Sequence, residues 1–177
     1  MALSKIQSES INLADTFAFT GTVSGAGKIG QVISTNKSDT FSTSATSLTD
    51  ITGLSASITP SSTSSKILIL ASIPASTLAQ QRFFVGLKRG STVIGQGDAS
   101  GSRVRVSSGA RMESSEAFMD FSINFLDSPN TTSSTTYQVT GFVQGSSTFY
   151  INRTETDSDS NTNGRASSTI TLMEILA

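Results

Sequence analysis

Residues 117–130 read AFMDFSINFLDSPN, and the alternation within them decides the fold class. Met119, Phe121, Ile123 and Phe125 occupy every second position, while Asp120, Ser122 and Asn124 fill the places between. Side chains of a strand point alternately to its two faces, so this spacing predicts a strand with one face on a core and one in water. Asp127-Ser128-Pro129 closes it, because Pro cannot donate to a ladder.

Working outward, the same pattern recurs in short segments separated by turn residues, which is how a sandwich or barrel is written. LSASITP sets Leu54, Ala56 and Ile58 against Ser55, Ser57 and Thr59 and stops at Pro60. RFFVGLKRGSTVIGQGD reads as a hairpin, with Phe83, Val85 and Leu87 on one face and Arg89-Gly90-Ser91 as the turn. TTYQVTGFVQG and TFYINRTE place Tyr137, Val139 and Val143, then Phe149 and Ile151, inward, and Gly145-Ser146 predicts that these two also form a hairpin.

Two segments are apolar on both faces. In SKILILASI, Ile67, Ile69 and Ile73 share one face and Leu68 and Leu70 the other. SSTITLMEILA begins with Ile170 and Leu172 on one face and continues with Met173 and Ile175 on the other, which implies a bulge or burial on both sides. Such strands sit either in the middle of a thick sandwich or at a contact between subunits. Leu68, Leu70, Met173 and Ile175 are therefore the candidate interface residues, Met173 and Ile175 being the first to test. No segment has helical periodicity over three turns. Residues 1–30 are less densely patterned and end in Gly21, Gly25, Gly27 and Gly30. They form an extended N-terminal arm without enough apolar residues for a core, to be ordered only against a neighbouring subunit or a larger assembly, and residues 31–177 form the sandwich domain.

Composition narrows the function classes. With 12 basic and 13 acidic residues the net charge is −1, which leaves no surplus to neutralise a phosphate backbone and argues against nucleic acid as a partner. No apolar run reaches the length of a membrane span, and the first residues lack the apolar stretch of a signal peptide. Cys and His are both absent. That removes disulfides, zinc sites and the commonest general base, and no Ser-x-x-Lys spacing or singled-out carboxylate pair among Asp98, Glu113, Glu116 and Asp120 replaces it. The chain is read as non-enzymatic, with no cofactor.

Four motifs merit weighing. SGAGKIG, residues 24–30, spells G-x-G-x-x-G, but a dinucleotide fingerprint needs a helix to follow, and the β-branched QVISTNKSDTFSTS follows instead. It reads as a joint. Asp159-x-Asn161-x-Asn163-Gly164 matches the opening of a calcium loop, with Asp157 as a further oxygen donor, but Ile170 stands where the bidentate Glu belongs; a solvated Asp/Asn-rich turn is the alternative. Arg103 and Arg105 share a face opposite Val104 and Val106, either as a fork for a carboxylate or sugar acid or as a solvated strand face. The triplets at Asn36, Asn130 and Asn152 match the N-glycosylation pattern, as chance allows in so Ser/Thr-rich a chain.

Several phrases taken together, DTFSTSATSLTDITGLSASITPSSTSSKILIL, LKRGSTVIGQGDASGSR, FLDSPNTTSSTTYQV, YINRTETDSDSN and STITLMEI, resemble the C-terminal domains of fibre-type virion proteins of tailed bacteriophages, marine cyanophages above all. The N-terminal ESINLADTFAFTGTVSGAG is similar to stretches ahead of such domains. The resemblance implies a jelly-roll-like antiparallel β-sandwich, homotrimeric, held on the virion by its N-terminal arm and contacting a host surface glycan or receptor. It lacks a shaft of repeats, so a stubby tail appendage and a knob or decoration protein cementing the capsid are both expectations. A carbohydrate-binding module using loops around Arg103 and Asp159 is the expectation from a different class.

Overall fold

The computed structural model describes residues 28–176, and among them there are eleven strands and no helix. β4 (Lys66–Ser76) is the hub of one sheet. β11 (Ser168–Ile175) pairs with its first half, and β8 (Met119–Asp127) runs along the opposite edge. β1 (Ile29–Lys37) pairs with β11 on its far side. Beyond the end of β11, β10 (Phe149–Ile151) joins β4 at Ala75 and Ser76 and carries β2 (Phe41–Thr43) on its other edge. The second sheet runs β3 (Thr49–Ile58), β9 (Thr135–Val143), β5 (Arg82–Arg89), with β6 (Thr92–Ile94) and β7 (Ser108–Arg111) sharing the last edge of β5. All pairs are antiparallel.

The layers are therefore β1–β11–β4–β8 against β3–β9–β5–β6/β7, with the chain crossing between sheets at six of its ten connections. This is jelly-roll topology, a double-sheet solution that lets short strands share one core. The core lies between the inner faces. Ile67, Ile69 and Ile73 of β4, Ile170 and Leu172 of β11 and Phe121 and Ile123 of β8 meet Leu54, Ile58, Phe83, Val85, Leu87, Tyr137, Val139 and Val143 of the facing sheet. Phe83 meets Phe121 edge to face across the layers at 5.1 Å between centroids, an arrangement aromatic rings favour.

Most of the alternation read from sequence appears as written, including the turn at Gly90-Ser91 between β5 and β6. Several readings change. The predicted hairpin of residues 135–151 does not exist, because β9 pairs with β3 and β5 while β10 pairs with β2 and β4, so the connection through Gly145 carries the chain from one sheet to the other. Met119 is 43 % exposed although it shares parity with Phe121, since it opens β8 opposite Ala75, near the end of the sheet. Of the two alternatives for β11 the bulge is absent, since Leu172 and Met173 pair continuously with β4, and Met173 and Ile175 are half-buried on the second face; the register shift is on β1, between Ile29 and Val32. Arg103 to Val106 lie in the loop between β6 and β7 and in no strand. β1 takes in Ile29 and Gly30, and residues 1–27 of the expected arm lie outside the described residues.

Candidate functional site: the outer face of the β1–β11–β4–β8 sheet

Strand register brings residues distant in sequence into rows across the sheet. Val32 stands opposite Met173, Met173 opposite Leu68, and Leu68 opposite Leu126, so one apolar side chain from each of β1, β11, β4 and β8 forms a row on the face turned away from the core. The described residues leave the row uncovered: Val32 is 51 % and Leu126 48 % exposed, and Leu68 and Met173 are half-buried. Ile29 opposite Ile175 extends the band on one side, and Leu70 extends it on the other.

Around this band the face is polar but almost uncharged. The next row is Ser34, Thr171, Leu70 and Asn124, and the one after it Asn36, Thr169, Ser72 and Ser122. Ser34 and Thr171 share a hydrogen bond of 2.9 Å, and the Ser72 hydroxyl donates to Asp120 at 2.9 Å. Lys66 and Asp120 at opposite ends are the charges on this face. An apolar centre, depleted of charge and rimmed by hydroxyls and amides, is a composition shared with the centres of macromolecular interfaces.

All four candidate interface residues, Leu68, Leu70, Met173 and Ile175, lie on this one face, half-buried. Sequence reasoning missed Val32 and Leu126. Leu126 follows Phe125 directly and passes for the end of an inward-facing strand, and Val32 lies just past the expected arm boundary; only the register places them beside Leu68 and Met173.

The other candidates fare differently. Asp157 accepts from Arg153 Nη1 at 2.9 Å and from Arg165 Nη2 at 2.7 Å, so its carboxylate is already paired with two guanidinium groups. Asp157, Asp159 and Asn163 line an open cleft of about 260 Å³, and Asn161 does not. Asn163 turns its Nδ2 to Ser158 Oγ at 2.7 Å, which orders the loop from within. No cluster of three acidic side chains suited to a metal exists among the described residues. Arg103 donates to Ser100 Oγ and Arg105 to the Gly97 carbonyl, so each secures its own loop rather than making a fork with the other. Gly30 of SGAGKIG is the second residue of β1, where a Cβ would stand 2.7 Å from Leu176 Cδ2; its glycine leaves room for that side chain. Asn152 is fully buried, its Nδ2 donating to the Lys37 and Asp39 carbonyls and its Oδ1 accepting from Ser168, so that triplet is closed to a glycan.

The two ends of the sandwich are unlike. Lys28, where the described chain begins, and Leu176, where it ends, lie together, the Leu176 amide donating to the Lys28 carbonyl at 2.8 Å. The loops 59–65 and 128–134 share that end, and 77–81, 112–118, 144–148 and 152–167 lie at the other. Compared with known protein families and with curated proteins, the chain matches none.

Proposed function

We propose that the protein is a non-enzymatic structural component of a bacteriophage virion, a homotrimeric jelly-roll knob tethered through its N-terminal arm. The observation that carries this reading is the apolar row Val32, Met173, Leu68 and Leu126, exposed on the outer face of a domain whose own core is complete. Covering each half-exposed side chain is worth about 1 kcal/mol, so hiding the row in a subunit contact is a substantial driving force. The resemblance to fibre-type virion proteins supports the trimer and the setting. The placement of Lys28 at one end of the sandwich supports attachment there and host contact at the opposite loops, 152–167 included. A non-catalytic role agrees with a chain lacking His and Cys whose buried carboxylates are committed to hydrogen bonds, Asp127 to Tyr137 and Arg89 and Glu174 to Gln31 and Ser61.

Light scattering on the full chain tests the assembly. The expected result is a three-chain mass, falling to one chain in Leu68→Ser/Met173→Ser with the β-sheet circular dichroism unchanged. A single-chain mass for the unaltered protein would remove the trimer, and absence from purified particles would remove the virion role.

A further inference from the structure

The outer face of the second sheet carries two cations side by side. On β5, Phe83, Val85 and Leu87 point into the core, so Arg82, Phe84 and Lys88 point away from it. Lys88 is neutralised by Asp50 at 2.7 Å. Arg82 is exposed, and its guanidinium has no ion-pair partner among the described residues. Its register partner on β7 is Arg111, also exposed. Like charges directly opposite each other on two strands destabilise the pairing, and an anion set between them turns that repulsion into two attractions. Arg111 is already held in place, its Nε donating to the Gln80 carbonyl at 3.2 Å and its Nη2 to the Gln80 side-chain oxygen. Glu113 is the one acid near the pair, 3.9 Å from Arg111 Nη1, and it also accepts from Gln80 Nε2 at 3.0 Å.

The next row on the same face is aromatic. Phe84 stands between Gly109 of β7 and Phe142 of β9. It stacks with Phe142, the centroids 4.9 Å apart and the planes at 27°. A Cβ on Gly109 would collide with the Phe84 ring, so glycine at that position lets the ring lie over the β7 backbone. Phe142 is 5 % exposed and Phe84 only half-buried, which leaves part of one ring bare beside the two guanidinium groups. Alternate residues of a strand are about 7 Å apart, the spacing between this ring and the cations.

We infer that Arg82, Arg111 and Phe84 form a binding site for an acidic sugar, a uronic acid unit within a glycan. The planar guanidinium groups match a carboxylate in geometry as well as charge. The Phe84 ring offers an apolar surface to the C–H face of the sugar, which a free inorganic anion would leave unused. Two cations in a chain of net charge −1 are too few for a nucleic-acid backbone. The fork that the sequence suggested at Arg103 and Arg105 is thus supplied by two arginines 29 positions apart, brought together by the β5–β7 register. The site lies where loops 77–81 and 112–118 join β5 and β7, at the end of the sandwich away from Lys28. It goes beyond the virion reading and does not rest on it, since it is complete within one chain and faces away from the apolar row.

Calorimetric titration of the full chain with a trisaccharide of galacturonic acid tests the inference. Binding is expected, weakening as sodium chloride is added, with none to the corresponding galactose trisaccharide. Arg82→Gln is expected to weaken it roughly tenfold or more, the cost of losing charge-assisted hydrogen bonds. Arg103→Gln, the same change of charge on another loop, should leave it unaltered. Equal binding of the neutral and acidic trisaccharides, or no binding of either, would overturn the proposal. So would an equal loss in the two variants, or equal binding of a triglutamate peptide, which would assign the cations to an acidic protein. The comparison of sugars and the salt series need no substitution and stand if Arg82→Gln folds poorly. A single-chain mass with acidic-sugar binding intact would remove the trimer and leave this site in place.

Discussion

Glu174 illustrates how much a single side chain can carry. It alternates with Met173 on β11 and so points inward, where it is 1 % exposed. Burial alone would raise its pKa, but hydrogen bonds from Gln31 Nε2 at 2.7 Å, the Ser61 hydroxyl at 2.6 Å and the Ser61 amide at 2.7 Å outweigh it and bring the carboxyl from 4.5 down to about 2. Three segments, β1, the β3–β4 loop and β11, thus converge on one carboxylate. A carboxyl depressed in the folded state binds fewer protons there than in the unfolded chain, so its contribution is complete above the unfolded value and is lost as pH falls through the folded one. Stability should therefore decline between pH 4.5 and about 2. Urea titrations across that window should show a flatter decline in Glu174→Gln, which at neutral pH should be less stable by about 1–3 kcal/mol. An identical acid limb in the variant would refute the assignment. In the sequence this Glu was one polar residue in an apolar strand, and nothing in spacing announced its donors at positions 31 and 61.

At the scale of the element, alternation was a sufficient guide wherever both sheets cover a strand, as with Ile67, Ile69 and Ile73 or Tyr137 and Val139. It failed where pairing had to be chosen. The turn residues at 145–146 suit a hairpin, but β10 is recruited to β4 instead. Its Phe149 is fully buried, and the ring lies where a Cβ on Gly141 would stand, 2.6 Å from Cε1 and 2.7 Å from Cζ. Gly141 on β9 thus makes room for a residue of the other sheet, a role in packing across layers that no local signal reveals. Gly141→Ala should destabilise by about 1–3 kcal/mol, the cost of overpacking a filled core. Gly97→Ala, where a Cβ meets nothing within 4 Å, should change little. Equal midpoints for the two variants in chemical denaturation would contradict this packing.

Across the whole molecule the sheets are joined by one polar clasp as well as by the core. Asp127 ends β8 in one layer, and Arg89 and Tyr137 belong to β5 and β9 in the other. The Tyr137 hydroxyl donates to Asp127 Oδ2 at 2.6 Å, and Arg89 Nη1 donates to both carboxylate oxygens at 3.0 and 2.8 Å. Burial of the phenol, and after it the hydrogen bond to the Asp127 carboxylate, raise the Tyr137 pKa far above its ordinary value, so the hydroxyl stays a donor. Hydrogen bonds to charged groups are worth about 1.5–3 kcal/mol, and Tyr137→Phe should lose that much. Ser57→Ala, which removes one partner of an exposed hydroxyl pair with Thr136, should stay within about 0.5 kcal/mol. Indistinguishable thermal midpoints for the two variants would show that the clasp contributes nothing to holding the layers together.

The sequence by itself determined that the chain is all-β, which face of most strands turns inward, and which chemistries are missing. Those properties follow from a period of two and from composition, both local. Its two-faced strands also marked Leu68, Leu70, Met173 and Ile175, because apolar residues in solvent-facing positions are visible without knowing the neighbours. Only the tertiary structure decided that Val32, Met173, Leu68 and Leu126 form one row, that Asp157 is held by two arginines, and that β9 and β10 part company. The row and the parting of β9 and β10 are matters of register between segments up to 141 positions apart, as for Val32 and Met173, while Arg153 and Arg165 reach Asp157 only through the path of their own loop. Register is set by how two whole sheets fill the space between them, and no window of sequence contains that information.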